Sequence, residues 1–196
     1  MATGKQRRKH GGTAVKIVVT GPFSAGKTTL IRTISEITVL STEKDITDHT
    51  KSRKAETTVA MDFGRITIDR DLVLYLFGTP GQDRFDFMWE ILGEGMLGYI
   101  LLLDASREDS LAEAVGILAA FRKMAKVPFV VALNRSEGID PGDEDRVRTA
   151  LELGDDVPVV PCDALDRESV KSVLLALLYS VVDSLEVAEP AQSANA

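Results

Sequence analysis

Hydrophobic positions along the chain follow two rhythms. Residues 15–19, 99–103, 127–133 and 157–160 are near-continuous apolar runs, the pattern of strands buried on both faces of a parallel sheet. Residues 58–68 and 72–77 alternate more and flank Asp69, Arg70 and Asp71. That arrangement predicts an antiparallel hairpin. Between the runs, apolar residues recur at helical spacing over 29–34, 110–124, 141–153 and 168–185. No internal repeat is present. The alternation predicts an α/β fold, a six-stranded, mainly parallel sheet with helices on both faces. Its functional site is expected at the carboxyl ends of the strands.

The first strand runs directly into Gly21-Pro22-Phe23-Ser24-Ala25-Gly26-Lys27-Thr28 and then into a helix. This is the phosphate-binding spacing G-x-x-x-x-G-K-[ST] in its required strand–loop–helix context. Successive backbone N–H groups, including those near Ser24, Ala25 and Thr29, bind phosphate oxygens, and the helix dipole favours the same charge. Lys27 is expected on the β- and γ-phosphates and the Thr28 hydroxyl on Mg²⁺. The fold is therefore expected to be that of a P-loop NTPase.

Composition narrows the setting. The 196 residues carry 44% hydrophobic side chains and a net charge of −7, enough for one core of one domain. Four basic residues, Lys5, Arg7, Arg8 and Lys9, fall within residues 1–12 without an acid, leaving −11 on the remainder. The expected organisation is a basic disordered arm at 1–12, a nucleotide-binding domain at 13–185 and a disordered tail at 186–196. An acidic body argues against nucleic acid as a partner, whereas the arm could contact an anionic membrane surface. Apolar runs are too short to span a bilayer, and no signal-peptide pattern precedes the first strand. A cytoplasmic protein is expected. Cys162 is the single cysteine, so no internal disulfide forms; its place at a strand end suggests burial.

The turn after the hairpin reads Gly78-Thr79-Pro80-Gly81-Gln82-Asp83-Arg84-Phe85. A glycine beside a γ-phosphate brings its backbone N–H close, and a neighbouring Gln can orient an attacking water. With residues 21–29, 56–64 and 78–85 together, the chain resembles bacterial Ras-like small GTPases. More narrowly, it is similar to the gliding-motility MglA group and to the GTPases of actinobacterial conservon operons.

That resemblance implies a small G-protein fold and a guanine-nucleotide-dependent switch that slowly hydrolyses GTP to GDP with Mg²⁺. It implies Thr58 over Mg²⁺ and the γ-phosphate, Gly81 as γ-phosphate sensor and Gln82 with Lys27 in catalysis. Base reading is implied for Asn134, Arg135 and Glu137, with Asp163 and the Ala164 backbone N–H in a second loop. A Roadblock/LC7-type protein is the implied regulator. Gly78 stands where many members carry the Asp that holds Mg²⁺ through water, so the metal would lean on Thr28, Thr58, phosphate oxygens or an acid from elsewhere. Arg53 is a candidate arginine finger in cis. Phe85, Met88 and Trp89 would share a helical face, with Trp89 the expected anchor for a partner.

Overall fold

The computed structural model describes residues 13–41, 61–80, 87–136 and 141–193. Seven strands form one sheet: β1 (Thr13–Thr20), β2 (Leu40–Ser41), β3 (Asp62–Thr67), β4 (Leu72–Gly78), β5 (Gly98–Asp104), β6 (Phe129–Asn134) and β7 (Val159–Cys162). Their spatial order is β2-β3-β4-β1-β5-β6-β7. Pairing is parallel from β4 through β7 and antiparallel at β2–β3 and β3–β4. The six expected strands are all present, and the two-residue β2 adds a short edge beside β3.

Among the described residues, five helices accompany the sheet: α1 (Lys27–Ile34), α2 (Phe87–Gly93), α3 (Glu108–Met124), α4 (Pro141–Ala150) and α5 (Arg167–Ser193). Side chains of β1 alternate between the two faces, as a period-2 strand demands. Ile17 and Val19 pack with Leu30 and Ile31 of α1 and with Val173 and Leu177 of α5. Val18 faces the other way, toward Leu118 and Phe121 of α3 and Val147 of α4. β5 is buried along its whole length, which explains why its sequence is a continuous apolar run. Each such aliphatic side chain contributes about 1.5–3 kcal/mol by leaving water.

Two helix C-termini differ from the sequence reading. α4 stops at Ala150, before the expected Leu153, because Glu152 turns the chain into a left-handed conformation at φ 49°. α5 continues through Ser193, past the expected tail boundary at Glu186. Among the described residues, no helix is long and apolar enough to cross a membrane.

β1 has parallel neighbours on both sides, β4 and β5. The connection after β1 runs to one half of the sheet and the connection after β5 to the other, so a crevice opens between their carboxyl ends. The loop joining β1 to α1 lies in that crevice.

Candidate functional site

Backbone conformation builds the phosphate loop before any side chain contributes. Gly21 (φ 142°) and Gly26 (φ 104°) occupy the left-handed region that favours glycine, and Ser24 reaches φ 62°. A Cβ on Gly21 would lie 2.1 Å from the Leu102 carbonyl oxygen, and one on Gly26 would lie 2.5 Å from Asn134 Nδ2. Both positions therefore require glycine for space as well as for φ. Ala25 is fully buried, and α1 starts at Lys27, with its N-terminal N–H groups at the loop.

Lys27 is buried, and its ammonium donates to the carbonyls of Gly21 (2.7 Å) and Pro22 (2.6 Å). The cation is thus held across the mouth of the loop. Thr28 donates its hydroxyl proton to Asp62 Oδ2 at 2.5 Å. Asp62 opens β3 and is 9% exposed. An open cleft joins these groups: Phe23, Ser24, Gly26, Lys27, Thr28, Thr29, Asp62, Thr79, Pro80 and Arg135 line it. At its β4 side, Thr79 is buried, with its backbone N–H on Val19 O (2.9 Å) and its hydroxyl on Thr20 Oγ1 (3.0 Å). The turn that leads on toward Gly81 is thereby tied to the end of β1.

At the other end of the cleft, Asn134 ties three segments together. Its Nδ2 donates to Ala25 O (2.9 Å), and its Oδ1 accepts from the Ala164 backbone N–H (3.0 Å). The phosphate loop and the loops after β6 and β7 are thus joined through one buried amide. The Ala164 N–H, which the resemblance assigns to the base, donates to Asn134 in this structure. Asp163, exposed, accepts from the Leu165 N–H (2.8 Å) and donates its own N–H to Ser169 Oγ (2.9 Å), forming a local turn.

Arg135 stands in the left-handed region at φ 57°. Its guanidinium pairs with Asp104, whose side chain is completely buried at the end of β5 and also accepts from Ser106. A buried carboxylate needs such partners. Arg135 therefore lends its stem to the cleft while Asp104 fixes its head. Arg107 reaches over from the start of α3 and donates to Phe23 O at 2.6 Å, bracing the apex of the phosphate loop.

Sequence reasoning missed Asp62, Asp104 and Arg107. Asp62 was visible only as the start of a strand, although a turn centred on Arg70 places residue 62 opposite residue 78. Thr58, Gly81, Gln82, Glu137, Arg53 and Phe85 lie outside the described residues. Cys162 is buried at the end of β7, and burial pushes its thiol up to about 11, so the thiolate is scarce at neutral pH. Trp89 corrects the partner-anchor expectation: it is half-buried, with its ring 5.8 Å from that of Phe121 in the core beside α3. Ile91, 65% exposed, is a large apolar residue that α2 turns outward.

Residues 19–184 match a family described as conserved hypothetical ATP binding protein. The matched span runs from the end of β1 to the middle of α5 and includes the whole cleft. The chain belongs to this family. It is also 34% identical over 135 residues to an uncharacterized protein of Methanocaldococcus jannaschii, covering 67% of this chain and 74% of that protein. Membership in the ATP-binding family corrects the narrower resemblance to Ras-like, MglA-type GTPases. Those shared motifs reflect the phosphate-handling chemistry of P-loop proteins, which is common to many families. The Roadblock/LC7-type regulator rested on that resemblance alone. What family and geometry support together is a P-loop nucleotide-binding protein.

Proposed function

We propose that the chain is a Mg²⁺-dependent nucleotide switch that binds GTP, hydrolyses it slowly to GDP and changes conformation between the two states. The observation that carries this reading is the Asn134 tie. It couples the phosphate loop to the loops after β6 and β7, so a nucleotide seated on the loop extends its base toward Arg135. Guanine offers N–H donors on its N1 and N2 edge, and a carboxylate accepts both. Glu137, two residues beyond Arg135, is the first acid of this loop.

The residues present suit Mg²⁺: Thr28 supplies a hydroxyl beside a cradle for phosphates, and the ion, when bound, neutralises charge on the transferring phosphoryl group. Lys27 binds the β- and γ-phosphates, and Gly81 and Gln82 follow Pro80 in the turn after β4. Gln82 orients the attacking water. Without a defined arginine finger, turnover by the isolated protein is slow, since finger-assisted acceleration is about 10³–10⁵-fold.

A second reading, adenine as the base, draws on the family description. Single-turnover hydrolysis of GTP and of ATP by the purified protein, compared with Gln82→Leu, tests the proposal. Slow, Mg²⁺-dependent GTP hydrolysis that falls in the variant supports a hydrolytic switch. Hydrolysis indifferent to Gln82 overturns its water-positioning role, absence of hydrolysis with nucleotide bound favours a subunit that uses the nucleotide only for stability, and faster turnover of ATP selects the second reading.

A further inference from the structure

We propose that a groove at the amino ends of the sheet strands, between α5 and the approaches to β6 and β7, is the docking site of the chain's own basic segment, residues 1–12. The groove lies at the opposite end of the sheet from the nucleotide cleft, and the proposal does not depend on which nucleotide binds there.

The groove has a volume of about 520 Å³. Val127, Pro128, Phe129 and Val157 give it apolar surface, and Asp156 and Asp183 stand among them with no lysine or arginine in the lining. Among the described residues, neither carboxylate has an ion-pair or hydrogen-bond partner. Unpaired acids beside apolar side chains suit lysine and arginine, whose aliphatic stems cover apolar surface while their charged heads reach the carboxylates. Residues 1–12 lie outside the described residues. Their sequence supplies Lys5, Arg7, Arg8 and Lys9 without an acid.

Topology puts that segment within reach. β1 begins at Thr13, and because β1, β5, β6 and β7 run parallel, Thr13 stands at the same end of the sheet as the groove. β6 is two strand steps from β1 and β7 three, about 10 and 14 Å at the spacing of neighbouring strands. Lys9 precedes Thr13 by four residues and Lys5 by eight, extended reaches of up to about 14 and 28 Å. The tether holds the basic run near the groove at an effective concentration of about millimolar, so weak, exposed ion pairs suffice. The turn Asp69–Asp71 lies nearer still, since the Thr13 N–H donates to Asp71 O. There, however, Arg70 offsets the two acids, and Asp69 Oδ1 already accepts from the Asp71 N–H. Proximity favours the turn; charge and apolar contact favour the groove.

The test places a nitroxide spin label on the full chain at Gln6→Cys, which keeps every charge of the segment, and follows paramagnetic broadening of backbone amide signals. The expected result is broadening at Phe129, Val157 and Asp183. It should be lost in Asp156→Lys/Asp183→Lys, lost in Arg7→Glu/Arg8→Glu, and restored when the four substitutions are combined, a recovery that a packing defect would not give. Salt at about 1 M, where the screening length falls to about 3 Å, should also remove it. Asp156 and Asp183 are both exposed, so the variants keep the fold, and unshifted core amide signals verify this. Broadening confined to the Asp69–Asp71 turn, or groove broadening indifferent to charge reversal, overturns the assignment. Broadening that disappears on dilution places the segment in the groove of a second copy and overturns the intramolecular claim.

Discussion

The two ends of the cleft are built differently. At the phosphate end, recognition is a property of the backbone: Gly21 and Gly26 hold the left-handed turns, α1 presents its N-terminus, and Lys27 lies across the loop on two carbonyls. At the far end, side chains hold the loops together. Asn134 joins Ala25 to Ala164, and Asp104 pins Arg135. The difference teaches that the phosphate-loop end is shaped by backbone conformation, whereas the far end depends on a few side chains and their reach. The first can be shared by unrelated activities; the second can change while the fold stays the same.

The largest effect is expected from breaking the phosphate end. Lys27→Ala removes the cation that lies across the loop and that is proposed to bind the β- and γ-phosphates. Charge-assisted hydrogen bonds contribute about 1.5–3 kcal/mol each, so loss of two weakens binding by roughly 3 kcal/mol or more, over a hundredfold. Titration calorimetry with GDP and with ADP should show both falling together, because no base contact is touched. Loss for one base alone would mean that the two ends are not separable.

Cutting the tie between the ends gives a smaller and mixed effect. Asn134→Ala leaves the Ala25 carbonyl and the Ala164 N–H without their partner in a buried setting, at about 1–3 kcal/mol each. Thermal unfolding should occur at lower temperature, and nucleotide affinity should drop for both bases. Unchanged stability would show that Asn134 is not the joint described here.

How much of this was legible in the sequence follows the same division. The phosphate loop could be read from letters because only glycine tolerates φ 142° beside the Leu102 carbonyl, or a close approach to Asn134. The buried strands could be read because β5 shows no polar face. Asp62 could not be read as a partner of Thr28, since the two stand 34 residues apart and meet only through hairpin register. The Ala164 contact with Asn134 could not be read either, since the two stand 30 residues apart and meet only where the loops after β6 and β7 converge. Trp89 was misassigned because local spacing cannot say which face of a short helix α3 covers. The narrower family resemblance failed for a related reason: the motifs behind it report phosphate and metal chemistry, and such chemistry recurs across families.

The central claim is that the base end selects guanine through a carboxylate while the phosphate end supplies most of the affinity. Its most direct test is competition of unlabelled GDP and ADP against ribose-labelled GDP, in wild type and in Glu137→Ala. A truncated contact that leaves donors of the base unpaired costs about 1–3 kcal/mol, or roughly ten- to a hundredfold. The account predicts that GDP displaces the probe at least about tenfold better than ADP in wild type, and that the gap closes in the variant while binding of ADP is unchanged. Equal displacement by GDP and ADP in both proteins, or a preference for ADP, would contradict it.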